Sequence, residues 1–164
     1  MKTITFKSPC HIGDTIYYVW ARKKNNKYTF KMKKRVACGF LIEDFGQYVC
    51  VKDKHGTDNT IDVPMHCVST NKYIIKAAYK NLVAANKKSD PSDTQRSNAF
   101  STKTYAKLSE SISVRSEYEL GERFINRHKE QDTVTGILVT NENAIASILG
   151  EDGGVYSFLE LERD

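Results

Sequence analysis

The chain contains no run of 18 apolar residues, so no transmembrane helix can be drawn from it. Its first residues, Met1-Lys2-Thr3-Ile4-Thr5-Phe6, lack the long apolar stretch of a secretory signal. No Gly-x-Ser-x-Gly, P-loop or His-Glu-x-x-His segment occurs, which removes the common signatures of serine hydrolases, nucleotide hydrolases and zinc proteases. Of the four cysteines, no two stand in a Cys-x-x-Cys spacing, so a zinc ribbon has no ligand set. These absences lead to the expectation of a cytoplasmic protein that is not an enzyme, binds no membrane and carries no cofactor or metal.

What is present favours a folded β-rich chain. The 164 residues are 40% hydrophobic and include 9 Tyr and 7 Phe, enough apolar surface for compact cores. Charge is divided unevenly. Residues 1–88 hold 17 Lys and Arg against 6 Asp and Glu, whereas residues 89–164 hold 8 against 14. A basic front and an acidic back imply either different partners or the docking of one half on the other.

An internal repeat is the most informative pattern. Gly39-Phe40-Leu41-Ile42 parallels Gly136-Ile137-Leu138-Val139, and Gly13-Asp14-Thr15-Ile16-Tyr17 parallels Gly121-Glu122-Arg123-Phe124-Ile125 once 11 extra residues are allowed in the first copy. At the same offset Val49-Cys50-Val51 meets Ala146-Ser147-Ile148, and Gly56 meets Gly153. Ile61-Asp62-Val63-Pro64-Met65 then parallels Val155-Tyr156-Ser157-Phe158-Leu159. Short β-branched and aromatic runs between Gly and Asx turns read as a small all-β unit. The pattern resembles the SH3-like (Tudor/KOW-type) barrel, present twice at about 8–70 and 117–164. The resemblance implies a mainly β (α+β) fold, with two small SH3-like barrels joined by a helix and a polar linker. The expected division is a basic barrel over 1–70, a connecting region over 71–116 and an acidic barrel over 117–164.

Between the copies the period changes to that of a helix. In residues 71–86, Ile75, Ala78, Tyr79 and Leu82 fall on one helical face, with Lys72, Lys76 and Lys80 beside them. Ser69, Thr70 or Asn71 can supply the N-cap oxygen, and Pro91 prevents continuation. Residues 88–101 are polar and Ser-rich and read as a linker. Tyr105, Leu108 and Ile112 then suggest a short second helix from Thr102 to about Ile112.

The extra residues of the first copy fall in a hairpin. Within 22–35 stand Arg22, Lys23, Lys24, Lys27, Lys31, Lys33, Lys34 and Arg35, with no acid among them. Tyr28, Phe30 and Met32 alternate with Thr29, Lys31 and Lys33 at strand period, and Ile16, Tyr18 and Trp20 form a similar stripe on the preceding strand. Asn25-Asn26 suits a tight turn. Such a ribbon can track a phosphate backbone by charge while Trp20, Tyr28 and Phe30 stack on bases. Equally, the aromatics can be core and the lysines a solvated guard against edge pairing. The partner expected is a nucleic acid, DNA or RNA, bound mainly by charge and with little sequence preference. The alternative is a protein-interaction module or inhibitor, of the kind a mobile element encodes, that engages an acidic protein surface.

Catalytic and metal readings have less support. Asp14, Asp58 and Asp62 could supply a carboxylate pair, but Asp beside Gly in a turn is usually structural. Cys10-His11 and His66-Cys67 could meet across two strand ends as a metal site. Neighbours on a strand point to opposite faces, so only one ligand from each pair would converge. Cys38 and Cys50, set in apolar runs, read as buried small hydrophobes.

Overall fold

The computed structural model describes residues 1–52, 60–88 and 107–161. The first half comprises β1 (Lys2–Ser8), β2 (Thr15–Lys24), β3 (Lys27–Glu43), β4 (Gly46–Lys52), β5 (Thr60–Pro64) and a 3₁₀ turn at Met65–Cys67. Helix α1 (Lys72–Lys88) follows. The second half repeats the order with β6 (Glu110–Ser116), β7 (Arg123–Ile125), β8 (Gln131–Val139), β9 (Ser147–Gly150), β10 (Val155–Tyr156) and a 3₁₀ turn at Phe158–Glu160. The mainly β expectation therefore holds. The linker over 88–101, Asp58 and the Gly56–Gly153 match fall wholly or largely outside the described residues.

Equivalent hydrogen bonds tie the two halves to one plan. Asp14 accepts the His11 N–H at 2.8 Å, and Glu122 accepts the Glu119 N–H at 3.1 Å. Gly13 N–H reaches the Ala37 carbonyl at 2.8 Å, and Gly121 N–H reaches that of Val134 at 2.9 Å. Both glycines have positive φ, 97° and 84°, a conformation open to glycine at no steric penalty. Ser8 Oγ donates to the Cys10 carbonyl and Ser116 Oγ to that of Tyr118, each at 2.7 Å. A bulge interrupts the ladder between Ala37 and Gly39, and another between Val134 and Gly136.

Two of the matches read from sequence shift. Phe40 pairs with Val49 and Ile137 with Ile148, so Val49 corresponds to Ile148 and not to Ala146. The cause is a longer β8–β9 connection, whereas β3 turns tightly into β4 at Glu43 and Gly46. Val63 lies opposite Val49 and Tyr156 opposite Ile148, moving the final strand by one residue.

The halves interlock. β1 pairs antiparallel with β6, centred on Thr5 and Ser113, whose hydroxyls lie 3.0 Å apart. β3 pairs antiparallel with β8, joining the strands in the order β10-β9-β8-β3-β4-β5, with β2 on β3 and β7 on β8. One core runs through both, with Phe6, Ile16, Phe40, Val49 and Val51 against Ile112, Phe124, Ile137, Ile148 and Tyr156. The uneven charge is used at this junction. Lys2 meets Glu119 at 4.0 Å and also Glu122, while His11 meets Glu110 at 3.0 Å and Glu142 at 2.9 Å.

The second helix expected from Thr102 to about Ile112 falls outside the described residues up to 106, and over its described part it is a correction. Glu110–Ser116 is strand β6, with Ile112, Val114 and Ser116 buried at every second position. Pairing with β1 outweighs the helix-like four-residue spacing of Leu108 and Ile112. Helix α1 follows its expected face. Ile75, Ala78 and Leu82 are buried, Tyr79 packs beside them, and Asn71 Oδ1 accepts the Tyr73 N–H at 3.0 Å as cap.

Candidate nucleic-acid interface

The 22–35 segment forms the outer part of the β2–β3 hairpin. Asn25 and Asn26 both take positive φ, 53° and 61°, the requirement of the two-residue turn whose twist suits a hairpin. Pairing runs without a break from Lys24 opposite Lys27 to Thr15 opposite Val36. Directly opposed residues share a face, so the register sorts every side chain of the ribbon.

One face carries Tyr17, Val19, Tyr28, Phe30 and Met32, along with Lys23 and Lys34. Helix α1 covers its apolar part, where Val19, Ile75 and Leu82 are buried against Tyr17, Phe30, Met32 and Tyr79. Tyr28 stacks on Phe30 at 6.4 Å between ring centroids, and Lys23 Nζ lies 5.8 Å from the Tyr28 ring centre. Asn86 Nδ2 donates to the Tyr28 carbonyl at 2.8 Å, tying the far end of the helix to the ribbon. Tyr28 and Phe30 thus brace the ribbon against α1.

The opposite face carries Arg22, Lys24, Lys27, Lys31, Lys33 and Arg35. Trp20 stands among them, opposite Lys31 and 42% exposed. The sequence stripes grouped Trp20 with Tyr28 and Phe30, but the register separates them. Ala21 is the residue opposite Phe30. A groove of about 270 Å³ runs along this face between Trp20, Arg22, Lys24, Thr29, Lys31 and Lys33.

At the base of the face the ribbon enters the core. Tyr18 is buried there, and burial pushes its phenol pKa up while the Arg35 charge opposes the shift. Arg35 Nη1 donates to the Lys34 carbonyl at 2.8 Å. Its Nε is buried with no hydrogen-bond partner among the described residues.

The equivalent hairpin of the second half is short and folded onto its own sheet. Arg127 lies over the Tyr156 ring at 4.5 Å, and its Nη2 donates to the Val155 carbonyl at 2.7 Å. The Tyr156 hydroxyl donates to Asp152, which holds the Asp152 carboxyl below its ordinary pKa. His128 is exposed beside it.

Cys10 is buried in the Ser8 turn, while His11 turns outward to Glu110 and Glu142. Cys67 is buried at the end of the first 3₁₀ turn, which also contains His66. No group of three or more His, Cys, Asp or Glu that could hold a metal occurs among the described residues. Asp14 accepts a turn N–H. No helix of the described residues is long and apolar enough to cross a membrane. No family model, curated protein or solved structure matches the chain.

Proposed function

We propose that the protein is a non-enzymatic nucleic-acid-binding protein that holds its ligand on the Trp20 face of the β2–β3 ribbon. The observation that carries this reading is the sorting of Arg22, Lys24, Lys27, Lys31, Lys33 and Arg35 onto one face. Like charges set side by side repel, and a polyanion relieves the repulsion while releasing its own counterions. Along a strand, residues on one face recur about every 6.7 Å. That step is comparable to the step between successive phosphates of an extended backbone. Lysines dominate the array and give point charges without the fork geometry that reads base edges, so binding tolerates sequence change.

Each half, with five strands and a closing 3₁₀ turn in the same order, is read as an SH3-like unit. In this reading the ribbon is the elaboration of one unit, and α1 is its brace.

The test is a titration of labelled DNA and RNA, single- and double-stranded, at several salt concentrations. Affinity is expected to fall steeply with salt, by about 0.7 log units per log unit of salt for each single-strand phosphate neutralised and about 0.9 for duplex. Replacing Lys24, Lys31 and Lys33 by Gln should abolish most of the binding and flatten the slope. Replacing Lys72, Lys76 and Lys80 on α1 by Gln removes as much charge and should leave most of the binding. Equal losses from the two sets, or affinity that ignores salt, would remove the ribbon face from the mechanism. An acidic protein that binds tightly where no nucleic acid does would install the alternative partner.

A further inference from the structure

Trp20 borders a second space. It also lines an apolar cleft of about 180 Å³ between β2 and β5, together with Tyr18, Val19, Ala21, Val63, Pro64 and Cys67, with Asp62 also on the wall. Trp20 is the residue shared by the linings of the cationic groove and the apolar cleft. A ligand that fits both must carry anionic groups in series and a flat apolar group beside them.

Resting on the reading of the ribbon as a nucleic-acid site, we infer that the cleft receives an unpaired base, which makes the ligand a single strand. The phosphates lie over Lys31, Lys33 and their neighbours, and one base packs on the Trp20 indole inside the cleft. Asp62 places an acid on the cleft wall, which suits a neutral base and repels a phosphate. A duplex keeps its bases stacked inside and can offer only phosphates to the groove, whereas a single strand offers every base face to an aromatic. An acidic peptide with an aromatic anchor would use the same two surfaces, so it is the competing outcome of the test.

Trp20 is the single tryptophan in the chain, so its emission reports on this position without labelling. The full-length protein is titrated with oligothymidylate, with an abasic strand of the same length, and with a glutamate-rich peptide bearing one phenylalanine. Oligothymidylate should bind and quench Trp20, whereas the abasic strand should bind through the cations without quenching. Trp20→Ala should weaken oligothymidylate binding by roughly fivefold or more while leaving the abasic strand unaffected, and Trp20→Phe should recover most of the loss. Binding of both strands without quenching, or equal weakening of both by Trp20→Ala, overturns the base-binding cleft and leaves the cationic face standing. Failure of both strands to bind overturns the single-strand inference, and failure of a duplex of the same length as well overturns the reading of the ribbon. Tighter binding and quenching by the peptide overturns the strand in favour of a protein ligand.

Discussion

Leu41 lies opposite Leu138 where β3 meets β8, and each stands two residues beyond the bulge glycine of its own half. The pair marks a local two-fold axis. Phe40 faces Val139 and Ile42 faces Ile137 on either side of it. Thr5 and Ser113 occupy the same kind of position between β1 and β6. The chain is thus built as two copies of one unit embracing each other, with β1 and β6 forming a second junction.

The first prediction concerns that embrace. Each half contributes side chains to a single core and a strand to each junction, so neither can bury its apolar face alone. Fragments 1–88 and 107–164, made separately, should each lack the dispersed amide spectrum of a fold. Mixed, they should refold and co-elute. A cooperatively folded single fragment would contradict the interlocked core.

Gly39 should be the glycine least tolerant of a side chain at the β3–β8 junction. A Cβ there would stand 2.6 Å from the Val139 carbonyl oxygen, which is backbone and cannot move aside alone. At the equivalent Gly136 the nearest atom is Leu41 Cδ1 at 3.3 Å, the end of a flexible side chain. Gly39→Ala should lose about 1–3 kcal/mol, with Gly136→Ala losing less. Denaturant titration of both variants checks the order, and a milder effect at Gly39 would refute it.

His11 should make stability depend on pH. Its ring nitrogens face Glu142 at 2.9 Å and Glu110 at 3.0 Å, and Asp14 bonds its main-chain N–H. Hydrogen bonds to Glu142, then Glu110, raise its pKa. Only the imidazolium can donate to both carboxylates at once. The folded pKa lies above the unfolded value, so the contribution is complete below about pH 6.5 and is lost as pH rises through the folded pKa. Because the side chain is 46% exposed, screening keeps the increment to no more than about 1 kcal/mol. Thermal melts of the wild type and His11→Gln should converge at alkaline pH and separate at mildly acid pH. Parallel profiles would mean that the contacts of His11 with Glu110 and Glu142 add nothing to stability.

The thiols should be inert in the native state. Burial pushes Cys10 up to about 12 and Cys67 up to about 11, and it also raises Cys50, assisted by Asp62. Cys38 is half-buried, with its Sγ donating to the Cys50 carbonyl at 3.2 Å, and burial raises its pKa as well. A thiolate-specific reagent at neutral pH should label Cys38 first and slowly, and all four only on unfolding. Rapid native labelling of Cys10 would mean that its turn opens.

Much of this was legible in the residues themselves. Ile75, Ala78, Tyr79 and Leu82 marked the buried face of α1 because a helix repeats its pattern over several turns. Asn25-Asn26 and the alternating Phe30, Lys31 and Met32 marked the hairpin for similar local reasons. What escaped notice depends on partners far along the chain. β1 and β6 are short alternating strands whose meaning comes from each other, and read alone the Leu108–Ile112 spacing imitates a helix. Trp20 was placed with the wrong aromatics because period two assigns faces within a strand, while only register assigns them between strands. The length of the β8–β9 connection likewise leaves no periodic trace, so the repeat drifted beyond Gly136.

The two ends of the β1–β6 junction are equivalent in position but opposite in polarity. At one, His11 of the first half meets Glu110 of the second; at the other, Glu119 of the second half meets Lys2 of the first. Suppose two molecules exchanged halves so that like met like. Paired first halves would bring His11 against Lys2, and paired second halves would bring Glu110 against Glu119. Every such meeting sets like charges together whenever His11 is protonated, and the acidic one does so at any neutral pH. Each contact is worth only tenths of a kcal/mol at an exposed site. Their sign nevertheless favours the two different halves of one chain over identical halves of two, so the folded unit counts its own members.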